Sequence, residues 1–275
     1  MDIQGERNME EEKHMVKRSL NFLLGLLFFI TNLSELQGEL TSQKKLLFFF
    51  DKIEVRGNVD VFLTKGKRLR EATLYADSEI ITSIKTRVSK KTLHIDANNT
   101  YNLARRLPFL KIKAQRKYPV EIVVSIESMK EIRLLEQSNL TAENLNSDTL
   151  SIFMGSEGKL HIENLSVKNL NIIHEGTGDI VLKGKEIEEI KAKVSESGSI
   201  FADELEVTRA TLIHHGSGAV HLKPSQWLDA RMHRNGNLFL HAKPNNLVID
   251  QQGTGKVSDI LPDAPTFYDF NKTEK

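Results

Sequence analysis

The segment Leu170-Asn-Ile-Ile-His-Glu-Gly-Thr-Gly178-Asp-Ile-Val-Leu182 decides the fold, because the chain writes variants of it six times. One period upstream stands Leu150-Ser-Ile-Phe-Met-Gly-Ser-Glu-Gly158-Lys-Leu-His-Ile162. Downstream come Ile190-Lys-Ala-Lys-Val-Ser-Glu-Ser-Gly198-Ser-Ile-Phe-Ala202 and Ala210-Thr-Leu-Ile-His-His-Gly-Ser-Gly218-Ala-Val-His-Leu222. Leu228-Asp-Ala-Arg-Met-His-Arg-Asn-Gly236-Asn-Leu-Phe-Leu240 and Leu247-Val-Ile-Asp-Gln-Gln-Gly-Thr-Gly255-Lys-Val-Ser-Asp259 complete the series. The second glycines fall at 158, 178, 198, 218, 236 and 255, with spacings of 20, 20, 20, 18 and 19. A fixed period of this length is the mark of a repeat architecture. A glycine-free coil through Met129–Thr141 extends the register one period upstream.

Each unit has two patches of alternating apolar residues around a small-residue corner. Alternation at period two means strands with one buried face. Glycine is the residue expected where a corner needs positive φ. A unit of this size cannot bury its apolar face alone, so units stack at about 4.8 Å per coil and build interior ladders. The predicted ladders are Ile152, Ile172, Ala192, Leu212, Ala230, Ile249 and Leu160, Ile180, Ile200, Val220, Leu238, Val257. The class is therefore all-β, a parallel β-helix (β-solenoid) with ~20-residue coils. Residues 46–260 form its single domain, with opening and capping strands over 46–126 and regular coils over 127–260. In the opening part Ile53–Val55, Val59–Leu63, Leu93–Ile95 and Val120–Val124 read as strands, and Gly57-Asn58 and Lys65-Gly66-Lys67 as turns. Residues 261–275, carrying Pro262, Pro265, Phe267, Tyr268 and Phe270, are a tail suited to covering the far end.

Ahead of the domain, Lys17 and Arg18 precede an apolar run from Leu20 to Leu33. A basic pair before a short apolar stretch is the pattern of an export signal, assigned to residues 1–38, and the run is short for a bilayer span. Met15, just before the basic pair, is an alternative start. The body is expected outside the cytoplasm, with membrane contact only through this segment.

Composition narrows the chemistry. Thirty-eight Lys and Arg balance 37 Asp and Glu, so nucleic acid is not an expected partner. The chain has no cysteine, which removes disulfides, thiolate metal sites and Cys nucleophiles. A polysaccharide lyase or hydrolase on this scaffold needs acids clustered at one ladder position. Position 179 and its equivalents instead read Lys159, Asp179, Ser199, Ala219, Asn237 and Lys256. No catalytic residue and no cofactor is assigned.

Two local features carry candidate sites. The segment from Tyr101 to Pro119 has Arg105, Arg106, Lys111, Lys113, Arg116 and Lys117 with no acid, a composition suited to phosphates or anionic lipid. His215 and His233 occupy equivalent positions on adjacent coils, a weak metal candidate without a third ligand. His174 and His214 are equivalent two coils apart, and fit a polar corner whose imidazoles bond turn backbone. A corner stripe of Glu157, Thr177, Ser197, Ser217, Asn235 and Thr254 is suited to a glycan or protein partner.

The entry Phe50-Asp-Lys-Ile53-Glu-Val-Arg-Gly57-Asn-Val59-Asp-Val61-Phe-Leu-Thr-Lys-Gly66 and its continuation through Tyr75-Ala-Asp77, Ile80, Ile84, Val88, Leu93 and Ile95 resemble the head GIN domain family. The serial Gly-Thr-Gly and Gly-Ser-Gly turns at 176–178, 216–218 and 253–255 add to the likeness, which covers residues 50–260. The resemblance departs at Glu136-Gln-Ser-Asn139 and at Arg234-Asn-Gly236. It implies a right-handed parallel β-helix, exported by a bacterium to periplasm or cell surface. The family is described as adhesin-like, and with the basic segment and the corner stripe the expected function is a non-catalytic binding module for an extracytoplasmic glycan, anionic lipid or protein. A carbohydrate-active enzyme and a structural envelope protein are the rival readings.

Overall fold

The computed structural model describes residues 39–65, 70–78, 80–98, 118–260 and 266–268. Residues 1–38, read above as an export signal, with Met15, the turn residues Gly66 and Lys67, and the basic residues Arg105 to Lys117 lie outside them. So do the tail residues 261–265 and 269–275.

The described residues contain no α-helix, and all the strands join one hydrogen-bonded sheet that winds on itself. In chain order they are β1 (Leu40–Leu46), β2 (Lys52–Arg56), β3 (Asp60–Thr64), β4 (Glu71–Asp77), β5 (Lys85–Ser89), β6 (Thr92–Asp96) and β7 (Glu121–Ser125). Then follow β8 (Glu131–Glu136), β9 (Asn139–Glu143), β10 (Asn146–Ser156), β11 (Leu160–His174), β12 (Ile180–Gly184) and β13 (Ile187–Val194). The last are β14 (Ile200–His214), β15 (Ala219–Met232), β16 (Asn237–Leu240), β17 (Asn246–Gln251), β18 (Val257–Asp259) and β19 (Thr266–Tyr268).

Both interior ladders form in the predicted register. On the side before the corner, Ile152 pairs with Ile172, Ile172 with Ala192, Ala192 with Leu212, Leu212 with Ala230, and Ala230 with Ile249. On the side after it, Leu160, Ile180, Ile200, Val220, Leu238 and Val257 pair in the same way. We call these sides A and B.

A third side, C, closes the coil, and the two-patch reading of the repeat did not contain it. It runs through Leu145, Leu165, Val167, Ile187, Leu205, Val207 and Pro224, all buried. Its pairings Asn146↔Ser166, Ile187↔Val207 and Val207↔Pro224 are parallel like the rest. The entry to this side bends through Asn144 and Asn164, which adopt positive φ of 57° and 54°, a conformation Asn tolerates better than most residues. Side C also absorbs the irregular periods. Between β14 and β15 the register slips between Ala202 and Glu206 and again after Val207, while sides A and B stay aligned.

The corner glycines serve a different purpose from the one expected. Among the described glycines only Gly57 has positive φ, at 91°. The glycines at the corners are needed because coils approach backbone to backbone. A Cβ on Gly178 would fall on the carbonyl oxygen of Gly158, on Gly218 on that of Gly198, and on Gly255 on that of Gly236. A Cβ on Gly198 or Gly236 would also enter the ring of His174 or His214. At the departure Glu136–Asn139 the corner is solved by other means. Glu136 itself takes φ 63°, and the Ser138 hydroxyl donates to the Leu135 carbonyl at 2.9 Å.

The opening strands do not stack in chain order. β2 lies between β6 and β8, and β3 lies between β7 and β9, all parallel. The coil of β2 and β3 is thus sandwiched between two coils that follow it in sequence. Beyond it β5 pairs antiparallel with β6, and β4 pairs antiparallel with β7 and with β1. At the other end β19 pairs antiparallel with β18.

Candidate functional site

A flat parallel sheet first has to satisfy its own backbone, and here polar side chains do so at the start of side B. Asn139 Oδ1 accepts the Lys159 N–H at 2.6 Å, Asp179 Oδ1 the Ser199 N–H at 3.1 Å, Ser199 Oγ the Ala219 N–H at 3.1 Å, and Asn237 Oδ1 the Lys256 N–H at 2.9 Å. Each oxygen reaches the equivalent residue one coil on. The mixture of residue types at this position, which in sequence showed only that acids do not cluster there, supplies a rung of backbone acceptors. Asp179 is engaged in it, and stands where a calcium-binding repeat would place its acid.

The inner corner position is a second structural device. His174 and His214 are buried, and their Nε2–H groups donate to the Gly178 and Gly218 carbonyls at 2.8 and 2.9 Å. His214 Nδ1 accepts from the Gly216 N–H at 3.1 Å, which fixes the neutral tautomer. Gln251 occupies the same position in the last coil and donates to the Gly253 and Gly255 carbonyls at 3.0 and 2.7 Å. Burial above all holds both imidazoles below the ordinary histidine range. These side chains clamp corners and face no solvent.

His215 and His233 do sit on adjacent coils, with ring centroids 4.2 Å apart and planes 8° from parallel. Stacked rings aim their nitrogen lone pairs along parallel lines that do not converge on one ion, and His233 Nδ1 meets Gln252 Oε1 at 2.9 Å. Among the described residues no three His, Asp or Glu side chains gather into a metal cluster. The corner residues Glu157, Thr177, Ser197, Ser217, Asn235 and Thr254 are all exposed and form a ridge.

The feature the sequence reading missed lies between the two inward residues of side B. There the outward position reads His161, Val181, Phe201, His221 and Phe239, paired coil to coil. Phe201 and His221 stack with centroids 5.0 Å apart, and His221 and Phe239 at 4.7 Å, both at 27°. His221 Nδ1 and His241 Nε2 share a hydrogen bond of 3.0 Å. Burial, then the adjacent His241, depress the His221 pKa, so the ring stands in the column as a neutral aromatic. All these rings are half-buried. One flank is the rung of Asp179, Ser199 and Asn237. The other carries Lys183 and Glu204, paired at 2.9 Å, and Lys223. The signal was present in the sequence. A His or Phe at the outward slot of successive repeats breaks a clean polar–apolar alternation.

Comparison with known proteins places this geometry. Among solved structures, one described as a putative adhesin from Bacteroides fragilis superposes with a TM-score of 0.72 at 20% identity, covering 81% of this chain and 97% of that one. A structure described as a putative lipid binding protein from Parabacteroides distasonis gives 0.58 at 16% identity, with 81% and 97% coverage. A putative adhesin from Parabacteroides merdae gives 0.53 at 18%, again with 81% and 97%. At these identities the likeness is one of fold. No curated protein sequence matches the chain. A family model described as "Putative auto-transporter adhesin, head GIN domain" matches residues 49–244. That span is well over half of the chain and holds the β2–β3 entry, every glycine corner but the last and the whole aromatic column, and the chain belongs to the head GIN domain family.

Proposed function

We propose that this protein is an exported, non-catalytic binding module of a bacterial envelope, and that its aromatic column on side B is the face that meets a glycan or protein partner. The observation that carries this is the stack Phe201–His221–Phe239, held outward on a rigid parallel sheet. Aromatic rings displayed at solvent and flanked by hydrogen-bonding groups combine apolar contact area with polar specificity at little entropic cost. The most conspicuous oxygens beside the column, those of Asp179, Ser199 and Asn237, are engaged by backbone N–H groups, which supports binding over acid–base chemistry. The basic segment with Arg105, Arg106, Lys111, Lys113, Arg116 and Lys117 is a second contact element, for anionic groups.

The test is binding of purified protein to an array of envelope and host glycans and to envelope extracts. The wild type is compared with Phe201→Ser/Phe239→Ser, and circular dichroism reports the fold. Loss of tenfold or more in apparent affinity with an intact β spectrum supports the reading. Unchanged binding by the double variant removes side B from it. Turnover of any array glycan, seen as released reducing ends, overturns the non-catalytic assignment.

A further inference from the structure

The N-terminal end of the described domain carries an apolar patch that the family relationship does not account for. Leu40 is 49% exposed, Leu46 64%, Phe48 83% and Phe49 51%, four large apolar side chains within ten residues. Their neighbours are fixed: Phe50 is buried in the core, and Leu47 packs against it while its N–H bonds the Arg70 carbonyl at 2.8 Å. The four side chains are thus held at the surface by an anchored backbone. Cations lie beside them. Lys44, on the outward face of the same strand as Leu46, pairs with Glu71 at 3.5 Å, and Arg70 lines a cleft with Phe49 and Glu127. The Lys91 ammonium lies 5.9 Å from the Phe49 ring centroid. Exposed Phe and Leu beside Lys and Arg is the composition of a surface that enters the headgroup–acyl boundary.

We infer that this end of the domain docks on a bilayer containing anionic lipid, with Leu46, Phe48 and Phe49 as the inserted side chains. The position in the chain argues for a bilayer as occupant over a protein. The apolar run Leu20–Leu33 ends seven residues before Leu40, a connector that spans about 25 Å at most. A domain delivered to a membrane by that run therefore meets the bilayer with its patch within reach. The inference rests on the export reading of residues 20–33 and adds a second, independent contact to it.

The chain has no cysteine, so one introduced thiol carries one environment-sensitive fluorophore. Full-length protein labelled at Phe48→Cys is mixed with vesicles of phosphatidylcholine and phosphatidylglycerol, with Ser217→Cys on the corner ridge as reference. The expected result is severalfold quenching of the position-48 label by nitroxide-bearing lipid and its protection from aqueous iodide, with the reverse at position 217. In the labelled chain, Leu46→Ser/Phe49→Ser should return the position-48 label toward iodide, with circular dichroism confirming the fold. A chain that binds vesicles while position 48 stays as open to iodide as position 217 overturns the inference and leaves anchoring by residues 20–33 standing. A chain that does not bind vesicles overturns both. A position-48 label shielded from iodide without vesicles overturns it in favour of a protein contact, such as a second copy.

Discussion

His174 and His214 are the two imidazoles shut inside the stack, and they tie its stability to pH. Burial disfavours the charged form, and for His214 the nearby His215 acts in the same sense. The bonds to the Gly178 and Gly218 carbonyls, and for His174 the charge of Asp179, pull the other way without overcoming it. Their folded pKa values therefore lie below the ~6.5 of an unfolded histidine. As pH falls through 6.5 the unfolded chain takes up protons first, so stability is full above about pH 6.5 and declines below it. The last coil supplies the control, since Gln251 makes the equivalent bond to the Gly255 carbonyl with no titrating group. His174→Gln/His214→Gln should keep its stability near pH 8 and lose much of the decline toward pH 5, measured as urea midpoints. His215 and His221, also held low, leave a residual slope. An unchanged pH profile would mean that the corner histidines are not the groups that titrate. The role of these histidines was legible in sequence from their two-coil spacing, because corner geometry repeats. The role of the glycines was not. A residue chosen for what its missing Cβ avoids on the next coil leaves the same letters as one chosen for its φ.

At the scale of elements, a parallel stack ends in strand edges that invite further strands, and natural sheets blunt them. The antiparallel strands β1, β5 and β19 stand at the ends of the described stack, where the parallel ladder stops. On β1 Lys45 faces inward opposite buried Ala72 and is half-buried, whereas Gln43, opposite buried Leu74, is exposed. Partial burial lowers the Lys45 pKa, yet an inward ammonium on an edge strand is costly to cover with another sheet. Lys45→Val removes that cost. We expect it to convert a well-behaved protein into one that self-associates with concentration, seen by light scattering on a sizing column. A variant that elutes as the wild type does would show that Lys45 does not guard the edge. The elements of sides A and B were legible because two inward residues per strand repeat in register. Side C was not, because its inward set changes from coil to coil, from Leu165 and Val167 to Ile187 and then to Leu205 and Val207, and its length varies. The aromatic column was passed over for a related reason. Period-two reading sorts residues into inward and outward, and looks for meaning in the inward set.

At the scale of the whole stack, stability in a solenoid comes from each coil and its two neighbours, so the ends are where order is lost first. The N-terminal end is locked by long-range pairing, since β2 and β3 sit between coils that come later in the chain. That interleaving has no repeat signature, which is why sequence showed capping strands but not their threading. The C-terminal end is asymmetric. On side B, β18 is covered by β19, and Val257, Ser258 and Asp259 are buried. On side A, β17 pairs with β15 and with no further strand among the described residues. Its inward Leu247 and Ile249 are only partly buried, whereas their counterparts Leu228 and Ala230 are fully so, and Val248 is 48% exposed. Fewer apolar contacts and one open edge mean a smaller opening free energy. Hydrogen exchange should therefore release Asn246–Gln251 on the order of tenfold or more faster than the central Ile187–Val194, and faster than Val257–Asp259. The ordering of β17 against β18 is the sharper half, because a chain fraying simply from its C-terminus would lose β18 first. Exchange of β18 ahead of β17 would show that β19 does not act as a cap, and that the stack ends where the repeats end.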